Sequence, residues 1–461
     1  MYEILDSTLR EGEQTPYVNF MMDEKIEIAR MLDRIGVDMI EAGDPSVSPN
    51  IHQAVKRIAG LHLRAEIVAH SLATKASIDH AKDCGVGRVV VFYATSKIHL
   101  EAKTHKSEDQ AIDIITEHVR YARSLGMKVR YTPEDASRTD FTFLVRACNN
   151  AIEAGADRIS FADTLGILQP HEMYERIVEL RKHLLPCKID LHCHDDYGLA
   201  LANAMAGIRG GADCIHTTIN GMGERTGIPD LCATIVAMNN LAGMEKYDMQ
   251  HLTTAANTLE RMSGFFLAPN KPITGSNAFS HKSGVHTNGV LKDPRTYEPF
   301  DPSTIGRERK IVIDKYTGKR AVAARLEEFG VQVDSAQLDK IVEQIKHIGD
   351  ERKFLHDADI IEVAERVTGQ AIDIFPKEIN AIMMVAVDSH VYTGSVVRRL
   401  RGIQEITSVF EITGDYDITA YVKVANTQDL NNLIEELRAI PGVKLTDTRV
   451  VLRKYSDTTG M

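Results

Sequence analysis

The six cysteines of this chain, at positions 84, 148, 187, 193, 214 and 232, include no CxxC pair. Such scattering argues against a disulfide framework and for reduced thiols in a cytosolic protein. Long apolar runs are missing too. No stretch reaches 18 apolar residues, and the opening "MYEILDSTLREGEQ" enters a strand pattern at once, without an apolar signal region. These absences predict a soluble, cytoplasmic chain with no membrane partner. Positive charge is also in deficit: the formal net charge is −11. That excludes a general nucleic-acid surface, and anionic ligands must be held by local rather than overall positive charge. There is no low-complexity tract, no helix-turn-helix and no Gly-rich dinucleotide loop after the first strand.

What is present is a regular alternation. Over the first 240 residues, short apolar runs alternate with amphipathic stretches such as 23–35, 108–125 and 170–184. The runs are "YEIL", "VDMIEAG" (37–43), "AEIVAH" (65–70), "RVVVFY" (88–93), "KVRYT" (128–132), "DRISFAD" (157–163), "KIDLHCH" (188–194) and "CIHTTING" (214–221). "Gly-Val-Asp" and "Gly-Ala-Asp" repeatedly close a helix and open a strand. Eight β–α units predict a (β/α)8 barrel rather than a doubly wound sheet. In such a barrel, chemistry collects where strands end, and polar residues cluster there in this sequence. Asp6, Arg10 and Glu11 follow strand 1, Glu41 and Asp44 strand 2, and His70 strand 3. Arg130, Thr132 and Glu134 belong to strand 5, Asp163 and Thr164 to strand 6, His192 and His194 to strand 7.

Residues i and i+2 of a strand share a face, so His192 and His194 converge. An isolated HxH is more often two satisfied histidines than a metal site. Their place at a strand end, with the Glu11 carboxylate available, favours a 2-His-1-carboxylate set with open positions. Arg10 beside Glu11 suits a substrate oxyanion or carboxylate, or else an internal ion pair with Glu11 or Glu41. Arg130 offers a second cation, and Gln14, Thr132 and Thr164 offer neutral hydrogen-bond groups. Glu134 by itself reads as an acid at a helix start. The whole describes a pocket for a small anion with an electrophilic carbonyl.

Four motifs in order, "STLREGEQ", "HCHDD", "GERTG" and "AFSHKSGVHTNGVLKDPRTYEPFDP", carry a family resemblance over roughly residues 1–370. They resemble the acetyl-CoA-condensing branch of the metal-dependent (β/α)8 family, which contains homocitrate, 2-isopropylmalate and citramalate synthases. The resemblance implies Claisen condensation of acetyl-CoA with a 2-oxo acid, then thioester hydrolysis. It implies one divalent ion (Mg, Mn or Zn) on Glu11, His192 and His194, with Arg10 stabilising the alkoxide. His286 would be the base, oriented by Glu134 and Tyr297 and reaching the barrel of a neighbouring subunit, hence a homodimer or larger homo-oligomer. His70 in "VAHS", the form of "AFSHKSGVH" and "TYEPFDP", and a C-terminal unit unlike the regulatory domain usual in isopropylmalate synthases lean towards 2-oxoglutarate as the oxo acid, whose far part His70 and Arg130 would contact. Asp44 in "EAGDP" and the run "HDDYGLALAN" lean the other way, towards the isopropylmalate branch and 2-oxoisovalerate. A lyase or aldolase of the same superfamily would lack the "AFSHKSGVH" extension.

The resulting division is a barrel at 1–270, a linker or lid at 271–306, a helical subdomain of short polar helices at 307–375, and a C-terminal domain at 376–461. After residue 380 the pattern reads βαββαβ, a ferredoxin-like module. It resembles the amino-acid-sensing domain of leucine-responsive-type regulators, with "GDYD" (Gly414, Asp415, Tyr416, Asp417) as the marker turn. That resemblance implies an amino-acid effector, lysine for a homocitrate-forming enzyme. The bland reading is a dimerisation appendage without ligand. A regulator with an inert barrel is the non-enzyme alternative, against which stand the intact Arg10, Glu11, His192 and His194.

Overall fold

A computed structural model describes residues 2–313, 315–351, 355, 357–370, 372 and 379–451. The chain divides into two compact units, Met1–Gly275 and Ser276–Met461.

The first unit is a closed parallel barrel of eight strands in sequence order. These are β1 (Glu3–Asp6), β2 (Met39–Glu41), β3 (Glu66–Ala69), β4 (Arg88–Ala94), β5 (Lys128–Glu134), β6 (Arg158–Asp163), β7 (Lys188–Cys193) and β8 (Cys214–Thr217). Closure is made by β1 on β8, with Glu3 opposite Cys214 and Asp6 opposite Thr217. Parallel strands need crossovers, and the amphipathic stretches supply them as helices Met22–Ile35, Glu108–Ser124 and Pro170–His183, among others. Their starts are written in the sequence. The Ser48 hydroxyl accepts from the Ile51 amide ahead of Pro49, and Ser107 with Gln110 forms a capping box. At the other end, Gly36 stops the first helix in the left-handed region, at φ 92°.

Two strands are about half the length of their apolar runs or less. β2 covers three of the residues 37–43, because Gly43, at φ 135°, turns the backbone out of the sheet. β8 covers four of 214–221, because Asn220 takes φ 65° in a tight turn at Ile219–Gly221. Both departures occur at the mouth, where the chain leaves the barrel to form loops.

The second unit contains a helical region and a four-stranded sheet. A two-residue pairing joins β9 (Ser280–His281) to β10 (Lys310–Ile311). Helices Lys319–Glu328, Ser335–Glu351 and Asp357–Thr368 bury Val322, Leu326, Ile341, Ile345 and Val363 together. They are thus more amphipathic than the expected short polar helices. The sheet comprises β11 (Ile379–Val387), β12 (Ile406–Glu411), β13 (Ile418–Val424) and β14 (Val443–Val450), in the order β12-β13-β11-β14. With helices Thr393–Arg401 and Thr427–Arg438 between strands, this is the βαββαβ module. The proposed boundary at 375/376 lies outside the described residues, as do residues 452–461.

Candidate metal centre and active site

The C-terminal ends of the strands open into a cavity of about 1060 Å³. Of the strand-end residues singled out from sequence, Arg10, Glu11, Gln14, Asp44, His70, Arg130, Thr132, Glu134, Thr164, His192 and His194 line it, whereas Asp6, Glu41 and Asp163 do not. The lining residues arrive from β5, β7 and the loops after β1, β2, β3, β6 and β7, so only barrel closure brings them together.

The ligand atoms of Glu11, His192 and His194 lie within 4.8 Å of one another, all three residues buried. His192 Nε2 stands 3.8 Å from Glu11 Oε2, and the two imidazole rings are 5.2 Å apart, centre to centre. Burial holds both histidines below their ordinary range, so they are neutral, as ligands must be. His194 Nδ1 is buried without a hydrogen-bond partner among the described residues. One carboxylate, two neutral imidazoles and an unused ring nitrogen form a donor set that fits a divalent cation. Glu11 is held in place from both sides. Its Oε1 accepts from the Glu224 amide at 3.0 Å and its Oε2 from Arg10 Nη1 at 2.5 Å. Gly223, at φ 156°, is required there, since a Cβ would come 2.9 Å from Glu11 Oε1.

A second group, Asp190, Cys214 and His216, could also hold a cation by distance alone. Its carboxylate is already committed. Asp190 accepts three hydrogen bonds from Arg158, at 2.7–3.1 Å. Burial also pushes the Cys214 thiol well above its usual range, which disfavours the thiolate a metal needs. This deeper group is an ion-pair core, which leaves the mouth set as the candidate metal site. The acids that follow the histidines in sequence take no part in it. Asp195 receives the Ala200 amide, and Asp196 pairs with Arg225.

Arg10 and Arg130 converge on one carboxylate, Glu41. Arg10 Nε donates to Glu41 Oε2 at 2.7 Å, and Arg130 Nη2 to Oε1 at 2.6 Å. Burial drives the Glu41 carboxyl up, but the two guanidiniums outweigh it and hold it well below the usual carboxylate range. Arg130 is therefore no free second cation. It is buried, and its Nη1 lies 3.1 Å from His216 Nε2. Glu134 likewise has a partner not expected from sequence, receiving both of its hydrogen bonds from Lys103 at 2.8 Å. His70 Nδ1 sits 3.5 Å from Asp44 Oδ2, its ring tilted against Phe92. Thr164 Oγ1 accepts from the Asp135 amide, Gln14 is 3.4 Å from Arg10, and the buried Thr132 hydroxyl has no partner among the described residues.

In the second unit, His286 is exposed and stacks on Tyr297, with ring centres 4.0 Å apart. Gly289 makes room for that stack, for a Cβ there would touch the Tyr297 ring at 2.7 Å. The "GDYD" turn links β12 to β13, with Gly414 at φ 127°. Asp417 serves the fold here, accepting from the Val387 amide at 2.7 Å.

Sequence reading missed Lys103, and it missed the roles of Asp190 and His216. Lys103 lies in a short helical turn, Leu100–Thr104, too brief to leave a periodic signal. Strand parity exposes the other two: Asp190 is two residues before His192, and His216 two after Cys214, so all face inward.

A closed (β/α)8 barrel carrying a Glu–His–His set at the strand ends, beside two charge-clamped arginines, defines a metal-dependent barrel enzyme. Residues 1–259 match the HMGL-like family, 273–353 the homocitrate synthase post-HMGL domain-like family, and 380–461 the Lrp/AsnC ligand binding domain. The chain is 47% identical to a homocitrate synthase of Sulfurisphaera tokodaii over 98% of this chain and 99% of that one. A homocitrate synthase of Sulfolobus acidocaldarius is 46% identical over 98% and 97%. The chain belongs to the homocitrate synthase family. Among solved structures, the HMG-CoA lyase of Bacillus subtilis aligns with a TM-score of 0.52 at 21% identity, over 57% of this chain and 94% of that one. That likeness shows the barrel fold alone.

Proposed function

We propose that the chain condenses acetyl-CoA with 2-oxoglutarate and hydrolyses the thioester, releasing homocitrate and CoA. The observation that carries this reading is the near-full-length match to relatives called homocitrate synthase. In this reading Glu11, His192 and His194 hold one divalent ion, which when bound supplies a Lewis acid for a ketone. Arg10 faces the same space and stabilises the charge that develops on the ketone oxygen. Arg130, tied to Glu41, acts as a fixed positive charge in the pocket wall. Gln14, His70, Thr132 and Thr164 receive the oxo acid. His286 takes the methyl proton of acetyl-CoA, its partner Tyr297 stacked on it and Glu134 orienting it within a homodimer or larger homo-oligomer. That assembly needs residues 271–306 to serve a neighbouring subunit. The six free thiols suit a cytoplasmic enzyme.

The C-terminal domain is assigned to an amino-acid effector, with lysine as the end product of the pathway this reaction would open. Lysine inhibition should weaken when residues 380–461 are deleted. A truncated enzyme that turns over with an unchanged lysine inhibition constant excludes the domain as the sensor.

The test of the activity is CoA release from acetyl-CoA with a panel of 2-oxo acids. 2-Oxoglutarate should be preferred, and His70→Leu should harm it more than 2-oxoisovalerate. A wild-type preference for 2-oxoisovalerate would transfer the reading to 2-isopropylmalate synthesis.

A further inference from the structure

His216 has no part in the reading above, yet it is fully buried directly behind a proposed metal ligand. Its Nδ1 lies 3.2 Å from His192 Nδ1, with the two ring centres 5.4 Å apart. Its Nε2 lies 3.4 Å from Asp190 Oδ2 and 3.1 Å from Arg130 Nη1. Asp190 is clamped by Arg158, and Arg130 by Glu41. The imidazole therefore stands between a ligand histidine on one side and a carboxylate competing with a guanidinium on the other.

The two ring nitrogens of His192 have separate surroundings. Nε2 faces Glu11 and the cavity, whereas Nδ1 faces only His216 among the contacts of its ring nitrogens. A neutral imidazole that ligates through Nε2 must carry its hydrogen on Nδ1, and that hydrogen needs an acceptor. His216 Nδ1 is placed to accept it. His216 must then carry its own hydrogen on Nε2, where the Asp190 carboxylate accepts. The opposite arrangement, with Arg130 donating to His216 Nε2, would place a hydrogen on His192 Nε2 and block the ligand position. Asp190 and Arg130 thus compete for one nitrogen, and the winner decides whether His192 can serve as a ligand.

We propose that His216 is a positioning residue for the metal centre, fixing the tautomer and ring orientation of His192 through a hydrogen-bonded line His192–His216–Asp190–Arg158. The inference rests on the assignment of Glu11, His192 and His194 as the metal set. It adds a ligand-supporting line to that set, whose first member, His216, comes from β8, a strand that contributes no ligand.

The experiment uses the full-length enzyme stripped with a chelator and titrated with Zn2+ and Co2+ against a chromophoric competitor. Three variants are compared. His216→Asn keeps an amide oxygen close to the position of Nδ1 and should bind metal within about threefold of wild type. His216→Gln sets its amide one carbon further out, and His216→Leu has no acceptor. Both should lose roughly 10- to 100-fold in affinity, the usual effect of removing an outer partner of a ligand histidine. The visible spectrum of bound Co2+ should be kept in His216→Asn and altered in His216→Gln. If His216→Leu does not fold, the Asn and Gln variants still decide, because both are neutral amides and a merely space-filling role would not rank them this way. Equal affinities for these two, whether both strong or both weak, overturn the proposal. Glu11→Ala separates the two levels of the argument. Metal retained in that variant sinks the site assignment itself, whereas metal lost there but kept in His216→Gln sinks only the role of His216.

Discussion

The C-terminal sheet domain buries Met383, Val385, Val396, Leu400, Leu433 and Leu437 against one another. The upper barrel instead buries Glu41, Arg130, Arg158, Asp190, His192 and His216. One core is aliphatic and the other is a chain of charges and imidazoles running from Arg158 through Asp190, His216, Arg130, Glu41 and Arg10 to Glu11. An aliphatic core is favoured by burial alone. A buried ion chain must offset the desolvation of every member, and removing one member strands the next. The contrast teaches that the barrel has accepted an expensive interior where the metal set and the guanidiniums must be held still. The C-terminal module has no such demand on its core, and whatever ligand it takes must meet it elsewhere.

Four substitutions break or sharpen this contrast. His192→Ala should abolish metal occupancy and lower turnover by about 1000-fold or more, the scale of several kcal/mol of lost charge stabilisation. Full metal content by atomic absorption together with normal turnover would refute the assignment. Glu41→Gln leaves two guanidiniums facing one neutral amide and should cost about 3–5 kcal/mol of barrel stability in urea titration, with activity lost alongside. Leu433→Ala, by contrast, deletes most of a side chain from the aliphatic core. It should cost about 2–5 kcal/mol, read in the unfolding of the C-terminal domain, while turnover without effector stays as in wild type. Equal loss of turnover in these last two variants would erase the distinction between the cores.

The fourth effect depends on pH and concerns Asp6, which accepts from the Thr8 amide and the Thr217 hydroxyl. Burial raises its carboxyl from the usual 3.8 to about 7. Between those values the folded protein holds a proton that the unfolded chain has lost, so stability falls as pH rises through this window. Below about pH 4 both states are protonated and the penalty vanishes. Asp6→Asn cannot ionise, so its stability relative to wild type should improve by up to about 1.4 kcal/mol per pH unit across that range. Parallel pH profiles for the two proteins would show that Asp6 does not titrate there.

Much of the barrel was legible in the sequence because its rules are local. Gly-Val-Asp and Gly-Ala-Asp punctuation at several helix–strand junctions and a switch between periods of 2 and 3.6 mark most of its strands and helices. The convergence of the candidate metal ligands was legible for the same reason. His192 and His194 are neighbours, and strand parity with a strand-end position speaks for them without knowledge of the rest. Lys103 as the partner of Glu134 was not legible, since its helical turn, Leu100–Thr104, is too short to carry a sequence period and its reach depends on the connection around it.

By itself, then, the sequence determined the eight-unit barrel, the βαββαβ module, the caps that begin the helices and the candidate ligands. All of these follow from propensity and periodicity within a dozen residues. Only the tertiary structure decided that Arg130 and Glu41, 89 positions apart, neutralise each other, and that His216, 24 positions beyond His192, stands behind it. Those pairings depend on how eight strands close on one another and in which register. A closed barrel brings the inward residues of all eight strands to one axis, and no local pattern records which of them meet there.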